Sequence, residues 1–98
     1  MNNKQIGSEI LRQLGGSRFI AMTGARDFAT DGDNCIFKIP RSNSVNYVKI
    51  KLNAWDTYDL EFILIHGEKI TIKKSFEGIY NDQLQEIFTE VTGLYTSL

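Results

Sequence analysis

The sequence predicts an α+β fold: an antiparallel sheet of about five strands with N- and C-terminal helices packed on one face. Three observations predict it. Apolar residues recur at helical spacing at both ends of the chain, a strict apolar/polar alternation fills the middle, and Gly, Asn, Asp and Pro punctuate the segments between. A chain of 98 residues has material for one core, so residues 1–98 are read as a single α+β domain.

At the N-terminal end, Ile6, Ile10, Leu11 and Leu14 lie at helical spacing, and Gly15-Gly16 follow where a left-handed cap would end the helix, which predicts a helix over 3–14. Arg18 to Thr23, around Phe19-Ile20-Ala21-Met22, reads as a strand. The polar stretch Thr30-Asp31-Gly32-Asp33-Asn34 beyond Gly24 reads as a long loop. Cys35, Phe37 and Ile39 then alternate with Ile36 and Lys38 in a strand that Pro40 should end, because proline donates no ladder hydrogen bond. A polar turn runs from Arg41 to Ser44.

The alternation is clearest from 45 to 65. Val48, Ile50 and Leu52 share one face, and Tyr47, Lys49, Lys51 and Asn53 share the other. Past an Ala54-Trp55-Asp56 turn, Leu60, Phe62 and Leu64 repeat the pattern. Placing Lys51 opposite Asp59 puts Lys49 opposite Glu61 and collects six apolar residues on one face, so both faces agree on one register. A three-residue loop, His66-Gly67-Glu68, would then set Leu64 against Ile70 and Phe62 against Ile72 on the core side, with Glu61 meeting Lys73 outside. The final segment opens with Asp82-x-x-Gln85, a capping-box pattern that Ile79 and Tyr80 could staple. Leu84, Ile87, Phe88 and Val91 follow at helical spacing, and Gly93 is placed as a C-cap.

Bulk properties narrow the function classes. Hydrophobic residues make up 42% of the chain and charged residues 23%, the balance of a globular protein. The formal net charge of −1 gives no long-range attraction for a phosphate polymer, so a charge-driven partner must meet a local patch. The single cysteine, Cys35, excludes an intrachain disulfide and fits a reducing compartment, with the cytoplasm expected. No apolar stretch approaches the ~20 residues of a membrane span or the core of a leader peptide, so neither membrane insertion nor export is expected.

No residue set carries recognisable catalysis. His66, the only histidine, sits beside Gly67 in a predicted hairpin loop, where an exposed idle side chain is expected. One Cys and one His without metal-ligand spacing do not build a zinc site, and Cys35 among alternating apolar residues reads as a buried thiol. The loop from Asp27 to Asn34 lacks the ligand spacing of a calcium-binding EF-hand. Gly15-Gly16 lie between a helix and a predicted strand, the reverse of a phosphate cradle. The expectation is therefore a chain that is not an enzyme and uses no cofactor or metal.

What remains is surface. Lys38, Tyr47, Lys49, Lys51, Lys69 and Lys73 are predicted on the polar sheet face, where Asp59 and Glu61 neutralise the middle and Tyr47 is the main stacking aromatic. Trp55, at a polar hairpin tip, is expected to fold back on the core or meet a partner, and folding back is the preferred reading. Ile63, Ile65 and the tail residues Leu94, Tyr95 and Leu98 add apolar surface that suits a protein partner or a homodimer. The candidate binding surface is thus Tyr47, Lys49, Lys51, Trp55 and Lys73.

Two segments, Leu14-Gly-Gly-Ser-Arg-Phe-Ile-Ala-Met-Thr-Gly-Ala25 and Asp82-Gln-Leu-Gln-Glu-Ile-Phe-Thr-Glu-Val-Thr-Gly-Leu-Tyr95, resemble a family of small proteins encoded by bacteriophages, prophages and mobile elements. The family has no assigned activity, so the resemblance implies an origin and no site residues. It implies a phage or mobile-element accessory protein in the host cell cytoplasm. The expected function is a noncatalytic module that binds a host or phage protein, and the alternative is a nucleic-acid-binding accessory using the lysine-bearing face.

Overall fold

The computed structural model describes residues 3–96; Leu98 and the side chain of Ile6 lie outside what it describes. The elements in order are α1 (Asn3–Leu14), α2 (Ser17–Thr23), β1 (Arg26–Asp31), β2 (Asn34–Ser42), β3 (Val45–Leu52), β4 (Tyr58–His66), β5 (Lys69–Ile79), a single 3-10 turn (Asn81–Gln83) and α3 (Leu84–Thr92). The strands form one antiparallel sheet in sequence order, β1-β2-β3-β4-β5. This is the predicted α+β class, with three helices where two were expected.

α1 ends as its glycines dictate. The Gly16 amide donates to the Leu11 carbonyl at 2.9 Å and the Gly15 amide to the Arg12 carbonyl at 3.1 Å, the paired bonds of a Schellman cap, with both glycines at positive φ. The chain leaves that cap directly into α2, so the expected strand over Arg18–Thr23 is a helix. Burial explains it: Phe19 and Thr23 are buried four residues apart, the spacing of one helix face, while Ser17, Arg18 and Ala21 stay exposed. The Thr23 hydroxyl donates to the Phe19 carbonyl at 2.7 Å and accepts from the Ala25 amide at 3.2 Å, satisfying the end of the helix.

The expected loop that follows is instead β1, closed on β2 by a two-residue Gly32-Asp33 turn. Pro40 does not end β2; it lies inside the strand, in the irregular stretch between the Lys38–Tyr47 and Ser42–Val45 pairs. The pairing of β1 with β2 reaches only as far as Lys38, so no partner on that side lacks a donor at Pro40.

The β3–β4 register is the predicted one, with Lys49 opposite Glu61, Ile50 opposite Leu60 and Lys51 opposite Asp59. The β4–β5 register is not. His66 pairs with Lys69 around a two-residue Gly67-Glu68 turn, and Gly67 takes φ 62° at the first turn position, which glycine adopts without strain. Ile65 therefore faces Ile70, Ile63 faces Ile72 and Leu64 faces Thr71. One residue fewer in the turn moves Ile70 and Ile72 to the outer face. A bulge between Ile72 and Lys74 then restores Phe76 opposite Leu60, and Glu61 meets Ser75, not Lys73.

The core lies between the helices and one face of the sheet. Phe19 of α2 packs edge-on against Phe37 (ring centroids 5.6 Å apart) and against Phe88 of α3 (5.0 Å), and Phe88 also approaches Phe62 (6.5 Å). Around them Ile10, Leu14, Val48, Ile50, Leu60 and Leu84 are buried. Each aromatic pair contributes ~0.5–1.5 kcal/mol beyond the burial of its area, so α2 is an integral part of the core. The expected Asp82–Gln85 capping box is not made. Gln83 accepts from the Tyr80 amide at 3.0 Å, two residues earlier, and Gln85 donates to the Gln13 carbonyl at 3.1 Å, tying α3 to α1. Gly93 caps α3 in the left-handed conformation as expected.

Candidate functional site

The sheet face away from the helices is built in rows by the strand register. One row runs Arg26, Lys38, Tyr47, Ile63 and Ile72 across all five strands, and the Ile65–Ile70 pair lies beside it. The next row runs Ile36, Lys49, Glu61 and Ser75, and the one after it Asn34, Lys51 and Asp59. The face is therefore divided along its strands. One end is apolar, with Ile63 and Ile65 largely covered by their neighbours and Ile70 and Ile72 exposed to 68% and 55%. The middle carries mixed charge, with Lys49 Nζ 3.8 Å from Glu61 Oε1, and at the β1–β2 side of the first row Lys38 Nζ stands 3.7 Å from Asp27 Oδ2. Among the described residues Lys51 makes no ion pair, although it sits opposite Asp59.

At the far end of the same face, Trp55 and Tyr80 line a cleft of about 640 Å³ together with Asn53, Asp59, Glu77 and Gly78. The topology makes it, since β4 starts where antiparallel β5 ends. Asn53 organises the loop: its Oδ1 accepts from the Trp55 amide at 2.9 Å and the Thr57 amide at 3.2 Å, and its Nδ2 donates to Asp59 Oδ1 at 3.0 Å. The Gly78 amide donates to the same Asp59 oxygen at 3.1 Å. This bonding holds the loop tip outward, so Trp55 is 86% exposed and does not fold back on the core. Tyr80 is 64% exposed and forms no staple, while Ile79 packs against the core in its place.

Of the residues expected to form a binding surface, Tyr47, Lys49 and Lys51 stand at alternate positions of β3 on the outer face. Trp55 lies beyond the end of that strand, in the cleft. Lys73 is two strands away from Lys49, in the β5 bulge, and does not join the lysine row. Lys69 lies opposite His66, out of register with the outer-face residues. The alternation missed Ile70 and Ile72 because the turn length sets their face; the signal for it was Gly67 preceding Glu68 in a two-residue turn. Tyr80 was missed because an aromatic just before a helix reads as a staple.

Cys35 is buried, as expected, and burial pushes its thiol up to about 11. It is one of the residues lining an open apolar cavity of about 290 Å³ between α1 and β1, with Gly7, Leu11, Phe28 and Thr30. His66 is exposed at the end of β4. Among the described residues, no three or more His, Cys, Asp or Glu side chains are grouped to hold a metal ion, and no helix is long and apolar enough to cross a membrane. Comparison with protein families, with curated proteins and with solved structures finds no match to this chain.

Proposed function

We propose that this chain is a noncatalytic protein-binding module, an accessory protein of a phage or mobile element that works in the bacterial cytoplasm. The observation that carries the reading is the apolar end of the outer sheet face, where Ile70 and Ile72 stand exposed beside Ile63, Ile65 and Tyr47. Cross-strand isoleucines on a face that the helices leave open supply the apolar centre of a docking patch, and the charged rows beside them supply a polar rim. The origin rests on the resemblance of the Leu14–Ala25 and Asp82–Tyr95 segments alone, and the compartment on that origin together with the single cysteine, Cys35.

The test is affinity capture from a bacterial lysate with the immobilised chain, set against the double variant Ile70→Lys with Ile72→Lys. A specific protein retained by the native chain and released by the variant is the expected outcome; retention no greater than on the bare matrix overturns the reading. A homodimer through the same patch would instead show as a concentration-dependent mass in light scattering that the double variant abolishes.

The nucleic-acid reading draws less support. Lys49 and Lys38 each stand beside a carboxylate, and the lysine row lacks a second stacking aromatic next to Tyr47. If that reading held, single-stranded DNA would bind at low salt, and Lys49→Glu with Lys51→Glu would abolish the binding.

A further inference from the structure

We infer that the cleft between Trp55 and Tyr80 is a binding site for a guanidinium group, presented by an arginine-bearing segment of a partner protein. The inference rests on the protein-docking reading only for the source of that arginine. The cleft is a separate place, six residues along β5 from the isoleucine patch and so roughly 20 Å away.

Three observations converge on this ligand. The first is aromatic: Trp55 and Tyr80, at 86% and 64% exposure, line one cleft although neither is needed to cover the core. An exposed indole forgoes the burial that ordinarily keeps such a side chain inside. The second is charge: Asp59 and Glu77 line the cleft and no basic residue does, while Lys51, opposite Asp59 on β3, lines the adjoining cavity and forms no ion pair among the described residues. The third is orientation. Asp59 Oδ1 is fixed by the Asn53 side-chain amide at 3.0 Å and the Gly78 backbone amide at 3.1 Å, so the carboxylate is held in place before any ligand arrives. A planar cation meets all three, its face stacking on an aromatic ring and its edge donating to a carboxylate. An ammonium satisfies the charge and forfeits the stacking. A neutral sugar uses the aromatic rings and brings no positive charge to Asp59 and Glu77. At about 640 Å³ the cleft also has room for residues flanking the arginine.

The test titrates the full chain with an acetylated, amidated Gly-Arg-Gly peptide and follows the Gly78 backbone amide and the indole N–H of Trp55, the single tryptophan of the sequence, by NMR. The expected result is saturable movement of both signals with a Kd on the order of 1 mM, and several-fold weaker binding of the lysine peptide. The peptide with citrulline, isosteric and uncharged, should leave both signals in place. Trp55→Ala and Glu77→Gln should each weaken binding about tenfold as read at Gly78, with the remaining amide spectrum unchanged as the check on folding. Ile70→Ser with Ile72→Ser should bind the peptide as the native chain does, which separates failure of the isoleucine patch from failure of the cleft. No saturable movement up to about 20 mM peptide overturns the inference, as does an equal response to the citrulline peptide. Saturation by a neutral disaccharide without any response to the arginine peptide overturns it in favour of a carbohydrate site.

Discussion

Asn46 and Ile65 are joined by a closed pair of hydrogen bonds, in which Asn46 Nδ2 donates to the Ile65 carbonyl and the Ile65 amide donates to Asn46 Oδ1, each at 2.9 Å. The amide side chain does at this point what a backbone neighbour does elsewhere in the ladder, because the β3–β4 pairing stops at Tyr47 opposite Ile63. Asn46→Ala removes both partners from a half-buried stretch of β4, and the expected loss is about 2 kcal/mol in urea unfolding. Asn46→Asp keeps an acceptor for the Ile65 amide but sets a carboxylate against the Ile65 carbonyl, and should cost at least as much. Amide exchange at Ile65 accelerates in both variants; unchanged exchange would show that the side chain is dispensable there.

The two faces of the sheet should respond differently to truncation. Ile70→Ser with Ile72→Ser removes apolar groups that are already in water, so the expected loss of stability is below about 1 kcal/mol. Phe62→Ala opens the core beside Phe88 and should cost about 3–5 kcal/mol. Comparable losses in the two variants would place Ile70 and Ile72 in the core.

Cys35 should make stability depend on alkaline pH. Its thiol titrates at about 11 in the folded chain and near its ordinary value, about two units lower, in the unfolded one, so between those values the unfolded state loses a proton that the folded state keeps. Stability therefore falls with rising pH across that window, by about 1.4 kcal/mol per pH unit, and the contribution is intact below it. Burial also raises the Tyr58 hydroxyl, which acts in the same direction, so the comparison is with Cys35→Ala. The stability difference between native chain and variant should shrink as pH rises from about 9 to 11. Parallel curves would mean that the folded thiol ionises freely.

At Gly7, α1 passes close to β1, and a Cβ there would run into Thr30 Cγ2. Gly→Ala inside a helix ordinarily stabilises by up to ~1 kcal/mol, whereas overpacking costs ~1–3 kcal/mol. The clash should win, so Gly7→Ala is expected to lower the urea midpoint. Thr30→Ser removes the offending methyl and keeps the hydroxyl, and the double variant should recover to the native midpoint or above it.

Parts of this architecture were legible for identifiable reasons. The β3–β4 register could be read because Lys49, Lys51, Asp59 and Glu61 specify one face while Val48, Ile50, Leu60 and Phe62 specify the other, and the two constraints agree. The β5 register could not, because Ile70, Ile72 and Phe76 occupy positions of one parity and yet fall on two faces, separated by a bulge that the alternation does not announce. Arg18–Thr23 was misread because the four-residue apolar run Phe19–Met22 fits either a strand or a turn of helix, and only the packing of Phe19 among Phe37 and Phe88 decides. The cleft was half visible. Trp55 was conspicuous in its turn, but its pairing with Tyr80 depends on the two being brought to one end of the sheet by strand order.

That strand order has a bearing on how the chain comes to be folded at all. Each strand pairs with its neighbour in sequence, so the sheet can zip outward from the β3–β4 hairpin through short loop closures, each of low entropic cost. The long closure is the one between the helices, where Gln85 reaches Gln13 across 72 residues. The expected sequence of events is therefore a sheet assembled early from local contacts, with α1 and α3 meeting last and sealing the aromatic cluster beneath them.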